Sequence, residues 1–270
     1  MMSRPRFLLL LLAATTMATC TMAFGQPKQY SPREESSPVI KLDHLFIYAP
    51  AQSSEAEVIS ELEAAGFYVA TSRHEFSDGV ISRYVFFYNG YLEVLWYDGG
   101  KETDDNTRRQ AGWERTGASP FGVGLRRREG TPEDLPFPTR RYTAEWMEPG
   151  TALQLLGTEA DTLAPELFVL NPQRALPDST ALMAHLSRLH HEEAERYIKA
   201  RAHPLGVRQI THARLTVLPG GDSEAALMLN RSGVISLEVG QKPLLEIFFD
   251  RGERGLSQDL RPLLPLLFRY

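Results

Sequence analysis

The pattern of hydrophobic and polar positions changes from strand-like to helix-like soon after the first forty residues. Residues 42–49 are apolar and aromatic and end before Pro50, which predicts a β-strand. Ser54 and Glu57 then form a capping-box pattern ahead of apolar residues at helical spacing, and Gly66 ends that run. The pattern therefore predicts a strand followed by a helix.

Three further short strands complete this first module. Residues 67–70 have strand-like composition, and the aromatic runs at 84–88 and 91–96 flank Asn89–Gly90. An Asn-Gly pair between two such runs is a strong signal for a tight β-hairpin. The first module, about residues 40–98, is therefore predicted to have the order βαβββ.

A similar order of elements returns near the C-terminus. Residues 210–217 predict a strand, Asp222 or Ser223 is positioned to cap a short helix, and residues 244–249 predict another strand. This second module, about residues 208–250, is shorter than the first by about one strand and one turn. The repetition predicts an architecture of two related modules.

The segment between the modules, about residues 112–204, is interpreted as an insertion that extends the sheet. It contains three predicted strands and one predicted amphipathic helix, at 121–125, 152–156, 167–170 and 180–200. Its arginine clusters at 126–128 and 140–141 are interpreted as solvated charges at a sheet edge rather than contacts to an anionic substrate.

The first 25 residues have the pattern of a cleavable signal peptide. Arg4 and Arg6 precede an apolar run, and residues 23–25 offer a small-x-small cleavage site. The mature chain is then expected to begin near Gln26 with a flexible polar lead-in over residues 26–38. The pattern predicts export to the periplasm or the cell exterior.

Composition excludes several classes of function. Across 270 residues, 29 Lys and Arg stand against 34 Asp and Glu, a formal net charge of -5, so no general basic field is available to hold a nucleic acid. Cys20 is the only cysteine and lies inside the predicted signal, so an exported mature chain would have no thiol for disulfides, zinc ligation or catalysis. A lipoprotein acylated at Cys20 is the less favoured alternative.

Four polar residues of the predicted strands lie on the less uniformly aliphatic strand faces. His44 lies in the first strand of the first module and Glu93 in its last strand, and His212 and Glu246 occupy the corresponding strands of the second module. The opposite strand faces are more aliphatic, in the second module above all, and suit packing under a helix. The four polar side chains are therefore predicted to face the concave side of a sheet.

These residues carry a resemblance to a known family. The motifs are LDHLFIYA around His44, YNGYLEVLW around Glu93, GASPFG at 117–122 and HPLG at 203–206. In this order they resemble glyoxalase-like domain proteins of the vicinal oxygen chelate superfamily over about residues 40–250. The resemblance implies an α+β fold in which paired βαβββ modules form a half-open mixed β-barrel with helices on the outside.

The same resemblance implies one divalent metal held by a His and a Glu from each module. Carried over residue by residue, the ligands are His44, Glu93, His212 and Glu246. Two imidazoles and two carboxylates suit Zn, Mn, Ni, Co or Fe. The alternative is that both histidines are hydrogen-bonded structural residues and that each Glu caps a backbone group or pairs with an arginine.

Two functional hypotheses follow. The first is metal-dependent isomerase, lyase or dioxygenase chemistry on a small vicinal-oxygen substrate, with Glu93 and Glu246 catalytic and His74 as a proton shuttle. The second is binding or sequestration of a small aromatic or apolar molecule without metal or chemistry. Substrate contacts are expected from aromatic and basic side chains, namely Tyr48, Arg83, Tyr91, Trp96 and Arg214.

The folded part of the chain is expected to be a single domain over residues 39–270. The apolar run at 260–268 contains two prolines and is expected to pack either against the core or against a second subunit in a homodimer. No apolar run in the mature chain is long enough to span a bilayer, so we expect no membrane span.

Overall fold

The structure is a computed structural model that describes residues 40–101, 103–127, 135, 138–144, 147, 150–170, 186 and 188–270. The predicted signal peptide with Cys20, the predicted lead-in and the first part of the helix predicted at 180–200 lie outside the described residues. Pro38–Tyr270 forms one compact unit. Among the described helices, none has the length and apolar character needed to cross a bilayer.

Within the described residues, the chain forms thirteen strands, five α-helices and one 3-10 turn, which confirms the α+β class. The strands are β1 (Ile40–Tyr48), β2 (Arg73–Glu75), β3 (Val80–Phe86), β4 (Tyr91–Tyr97), β5 (Phe121–Arg127), β6 (Thr139–Tyr142), β7 (Leu153–Leu156), β8 (Glu166–Val169), β9 (Ile210–Val217), β10 (Ser236–Val239), β11 (Leu244–Phe249), β12 (Ser257–Asp259) and β13 (Leu266–Arg269). The helices are α1 (Glu55–Ala64), α2 (Asp105–Ala111), α3 (Trp113–Thr116), α4 (His191–Lys199) and α5 (Glu224–Arg231), and the 3-10 turn covers Asp250–Gly252.

The larger sheet has eight strands in the order β2-β3-β4-β1-β5-β8-β7-β6. Its centre is the antiparallel pair β1 and β5, and each of these strands has a parallel neighbour on its other side, β4 for β1 and β8 for β5. The strands β5 to β8 therefore repeat, outward from the centre, the order of β1 to β4. The first module has the predicted order of a strand, a helix and three strands.

The partner of the first module differs from the one expected. Strand β5, inside the segment interpreted as an insertion, pairs with the free edge of β1, whereas β9 and β11 belong to a separate five-stranded sheet ordered β10-β9-β11-β13-β12. The physical reason is that hydrophobic periodicity predicts a strand but not its neighbours. Connections between sheet neighbours tend to be short, which favours β5 over a strand more than 80 residues further along.

The two sheets share one hydrophobic core with α1 and α5. Each sheet contributes its more aliphatic face, and the core includes Leu45, Ile47, Val58, Leu62, Leu92, Val94, Val123, Ala213, Leu215, Leu229, Leu245 and Ile247. The ring of Phe67 lies 5.7 Å from Phe249 and 4.3 Å from Phe268, between ring centroids. The other face of the eight-stranded sheet therefore does not take part in this core.

The predicted capping box and the predicted end of α1 are confirmed. The Ser54 hydroxyl accepts from the Glu57 backbone N–H at 3.2 Å, and the Glu57 carboxylate accepts from the Ser54 backbone N–H at 3.1 Å. This reciprocal capping box satisfies donors that the first helical turn leaves unpaired. Gly66 follows the helix with φ of 85°, a conformation that favours glycine.

Two predicted elements differ in their bounds. Residues 67–70 are not a strand, although Phe67 and Val69 are buried, and the second strand is β2 instead. In the described part of the helix predicted at 180–200, residues 188–190 are non-helical and α4 begins at His191.

The apolar C-terminal run packs into the core through Leu264, Leu266 and Phe268, which is one of the two expected alternatives.

Candidate ligand cavity

One face of the eight-stranded sheet carries aromatic and acidic side chains, and we call it the cavity face. Along β1, His44, Phe46 and Tyr48 point to this face, while Leu45 and Ile47 point to the core. Two rows of facing residues cross the four central strands. They are Tyr91, His44, Gly124 and Phe168 in one row and Glu93, Phe46, Gly122 and Glu166 in the next.

Glycine in β5 allows two aromatic rings to lie directly on the sheet. A Cβ atom built on Gly122 would be 1.9 Å from the Phe46 ring, and one built on Gly124 would be 2.1 Å from the His44 ring. Any larger residue would occupy the same space as the rings. These two glycines therefore form the floor under Phe46 and His44.

Two adjoining cavities of about 110 and 180 Å³ lie on this face. Both are lined by Phe76, Glu93, Leu153 and Phe168. The smaller cavity also contacts Phe46, Tyr48, Asp78, Val80, Leu95, Thr107, Tyr142 and Glu166, and the larger one contacts His44, Tyr84, Tyr91, Met147, Thr151, Ala152 and Leu170. Mainly apolar walls with a few converging polar groups are typical of small-molecule sites.

Glu93 is the polar group common to both cavities. It is buried, and this desolvation raises the pKa of its carboxyl, partly offset by His44 and by the nearby hydroxyls of Ser82 and Tyr84. The Tyr84 hydroxyl accepts from the Ser82 hydroxyl at 2.6 Å. Glu93 is thus a desolvated carboxyl with an enhanced tendency to hold a proton.

His44 is held on several sides. Its ring stacks on Tyr91 at 4.4 Å with an interplanar angle of 11° and lies 5.4 Å from the Phe168 ring. Its Nδ1 lies 3.0 Å from the Asp43 carboxylate, which also accepts from the Arg126 guanidinium at 3.3 Å. The His44 ring therefore has a defined position at the wall of the larger cavity.

Glu166 lies at the other end of the row that contains Glu93, and sequence reasoning missed it. Asn106 in α2 donates to its carboxyl at 2.5 Å. Burial, together with the nearby charge of Asp104, raises the pKa of Glu166 to about 7. The available signal was its place at the start of the strand predicted at 167–170, which corresponds to β4 in the first module.

Two of the expected substrate contacts lie on the cavity. Tyr48 lines the smaller cavity and Tyr91 the larger one. Burial is the main cause of the raised pKa of the Tyr48 hydroxyl and of the Tyr91 hydroxyl. Both phenols are therefore neutral hydrogen-bonding groups at physiological pH.

Two other expected contacts in the first module face away from the cavity. Trp96 packs against the core, and its indole N–H donates to the Ser53 carbonyl at 3.1 Å. Arg83 donates to the Glu55 carboxylate at 2.8 Å and to the Ala70 carbonyl at 2.9 Å. Their positions in β4 and β3 alternate with those of the cavity residues, which is why they lie on the opposite face.

His74 and Arg214 also lie outside the cavity lining. His74 is exposed on β2, where its ring meets the ring of Phe76 at 4.4 Å. Arg214 belongs to β9 in the five-stranded sheet and forms an ion pair with Glu246 at 3.2 Å. Neither contributes to the wall of either cavity.

The four expected metal ligands are not brought together. His44 and Glu93 line the larger cavity, whereas His212 and Glu246 lie on β9 and β11 of the other sheet. In the part of the chain that the structure describes, no group of three or more His, Cys, Asp or Glu side chains is arranged to hold a metal ion. The four residues, as placed, do not fit one divalent metal.

His212 and Glu246 have partners of their own. Glu246 is buried and accepts from Arg214 at 3.2 Å and from Arg269 at 2.8 Å. His212 Nε2 lies 2.8 Å from the Ser236 hydroxyl. These contacts match the alternative in which the second pair is structural.

No protein-family model and no curated protein matches the chain. Among solved structures, the chain is similar to a hypothetical protein from Staphylococcus aureus at 10% identity and a TM-score of 0.39, over 86% of this chain and 99% of that one. A hypothetical protein from Bacillus halodurans C-125 matches at 12% identity and a TM-score of 0.32, over 52% of this chain and 100% of that one. The resemblance to glyoxalase-like domains stays a prediction.

Proposed function

We propose that the protein binds a small, largely apolar molecule in the cavities on the eight-stranded sheet, without the four-ligand metal site. The observation that carries this proposal is the position of Glu93, a buried carboxyl that lines both cavities among aromatic rings. Burying a carboxyl without full compensation costs free energy. A polar group retained in this setting is typical of a site that orients a ligand.

The lining indicates the chemistry of the ligand. Phe46, Phe76 and Phe168 supply flat apolar surface, which suits an aromatic or compact aliphatic molecule. Glu93 and Glu166 line the smaller cavity, and their carboxyls disfavour an anionic ligand there. The volumes of about 110 and 180 Å³ suit a molecule of one or two rings.

This proposal corresponds to the binding hypothesis rather than the metal-dependent enzyme. The metal site that the resemblance implies includes His212 and Glu246, which the five-stranded sheet holds in other contacts. The glyoxalase-like resemblance supports the same location for the site, because it implies a cavity on the concave side of paired modules. The signal-peptide pattern adds, as part of the proposal, that binding takes place outside the cytoplasm.

Titration with indole, a neutral two-ring probe, tests the proposal. We expect saturable binding with a Kd of about 1 mM or lower, as measured by calorimetry or ligand-observed NMR. Ala152 lines the larger cavity and lies outside the strands, so Ala152→Phe fills the space and should weaken indole binding about tenfold or more.

Ala160→Phe is the matched control. Ala160 is exposed in a turn and lines neither cavity, so this variant should bind indole as the unmodified protein does. Unchanged indole affinity in Ala152→Phe would show that indole does not bind in the larger cavity. Failure of the unmodified protein to bind indole, benzofuran or p-cresol would remove the proposal.

A further inference from the structure

The fold fixes the orientation of the His44 ring and so the direction of its two nitrogens. His44 is 3% exposed, and its ring lies over Gly124 and stacks on Tyr91, so the ring cannot turn freely. Its backbone position in the middle of β1 is held by ladders to β4 and β5 on both sides. The direction of each ring nitrogen is therefore a property of the fold.

Asp43 determines which nitrogen carries the proton in the neutral ring. Its carboxylate lies 3.0 Å from Nδ1 of His44 and also accepts from Arg126, whose guanidinium donates in addition to the Asn89 carbonyl at 3.2 Å. An ionised carboxylate can only accept hydrogen bonds, so Nδ1 must be the donor. The neutral His44 ring then has its lone pair on Nε2.

The Nε2 lone pair is available to a ligand. Among the described residues, Nε2 of His44 has no hydrogen-bond partner, and His44 forms part of the wall of the larger cavity. The carboxyl of Glu93 lines the same wall, and burial raises its pKa, which favours the protonated form. With Nδ1 directed at Asp43, Nε2 is the atom of the His44 ring that can accept a hydrogen bond from a ligand in this cavity.

We infer that the ligand carries a neutral N–H or O–H donor, next to an aromatic or apolar body, and that this donor binds Nε2 of His44. This inference rests on the proposed function and narrows its ligand class. An acceptor that stays unpaired in a closed site costs affinity, so the site should discriminate against isosteres that lack the donor. Asp43 and Arg126 act as positioning residues for this contact.

Indole and benzofuran test the inference, since they have nearly the same shape and differ at the N–H group. We expect the protein to bind indole roughly three- to tenfold more tightly than benzofuran, the ratio that one hydrogen bond in a buried site gives. His44→Phe keeps an aromatic ring over Gly124 and on Tyr91 but removes the acceptor. The affinity ratio should fall to about one in that variant.

His212→Phe is the matched control, because it makes the same chemical change on the five-stranded sheet and should leave the indole preference intact. A preference for indole that persists in His44→Phe would overturn the inference. Equal affinities in the unmodified protein, both weakened by Ala152→Phe, would also overturn it while the proposed function stands. If neither indole nor benzofuran binds, the result contradicts both the proposed function and this inference.

A second measurement does not depend on a variant that folds. Long-range ¹H–¹⁵N correlation of the unmodified protein near pH 8 reports which ring nitrogen of each histidine is protonated. We expect the Nδ1–H form for His44, with Nε2 unprotonated. The Nε2–H form for His44 would overturn the inference.

Discussion

At the scale of single residues, the absence of a side chain at two positions shapes the cavity wall as much as any side chain present. Gly122 and Gly124 lie under the rings of Phe46 and His44, and a Cβ at either position would come within 2.1 Å of a ring atom. The rings can therefore lie against β5 only while these positions are glycine. The orientation of His44, and with it the proposed acceptor, depends on Gly124.

Gly124→Ala should destabilise the protein by about 1–3 kcal/mol, because the added methyl group overpacks a buried site and displaces the His44 ring. Indole affinity should fall in the same variant. The measurement is urea unfolding followed by indole titration. Gly100→Ala is the control, since its Cβ would meet nothing closer than Asp98 at 3.5 Å, and it should change stability by no more than about 0.5 kcal/mol. Equal stability of Gly124→Ala and the unmodified protein would contradict this close approach.

Residue-scale features that depend on distant partners were the hardest to predict from the sequence. The sequence pattern predicts a solvated edge charge at Arg126, but this residue is 6% exposed and pairs with Asp43, 83 positions earlier. Glu166 similarly meets Asn106, 60 positions away. A local pattern contains no information about such partners, whereas His44, Glu93, Tyr48 and Tyr91 were found because strand alternation is local.

At the scale of elements, His203 connects the segment after α4 to the first module through hydrogen bonds and ring contacts. Its Nδ1 accepts from the Tyr68 backbone N–H at 2.9 Å and its Nε2 donates to the Phe86 carbonyl at 2.9 Å. Its ring lies 5.6 Å from that of Phe67 and 4.8 Å from that of Phe87. Burial lowers the pKa of His203, and a proton on Nδ1 would face the Tyr68 N–H.

Stability should therefore depend on pH through His203. Since its pKa is lower in the folded than in the unfolded chain, its contribution is complete above about pH 6.5 and is lost as the pH falls further. We expect the unmodified protein to lose more unfolding free energy than His203→Gln between pH 8 and pH 5. Urea unfolding of both proteins at both pH values measures this difference in unfolding free energy. The pKa of His212 is also lowered, but His212 is present in both proteins, so its contribution cancels.

His191→Gln serves as the control for that pH dependence. The His191 side chain is 87% exposed and pairs with Glu195 in α4, a surface contact that contributes little to stability. This variant should follow the unmodified protein at both pH values. Parallel loss of stability in the unmodified protein and His203→Gln would contradict a role for His203.

Elements with strong local signals were predicted closely. The helix α1, with Ser54 and Glu57 as its capping box, and the strands β9 and β11 lie where periodicity placed them. The segment at 67–70 was predicted as a strand because buried apolar residues give the same short pattern in an irregular segment. Periodicity is a weaker guide where an apolar run is only a few residues long.

At the scale of the whole molecule, the repetition of modules was recognised but assigned to the wrong pair of segments. The first module pairs with β5 to β8, and the segment at 208–250 contributes β9 to β11 to the second sheet. The order and spacing of elements can be read from each segment alone. Which strand pairs with β1 depends on the complete fold, and that strand is β5. This difference also separates His212 and Glu246 from the cavity.

The most direct test is a ¹H–¹⁵N correlation spectrum of the labelled protein during titration with indole. We expect saturable shifts concentrated in β1, β4, β5 and β8, where the cavity-face residues lie, with the amides of β9 and β11 unchanged. Saturable shifts centred on His212 and Glu246, or no saturable shift in any strand, would contradict a ligand site on the eight-stranded sheet.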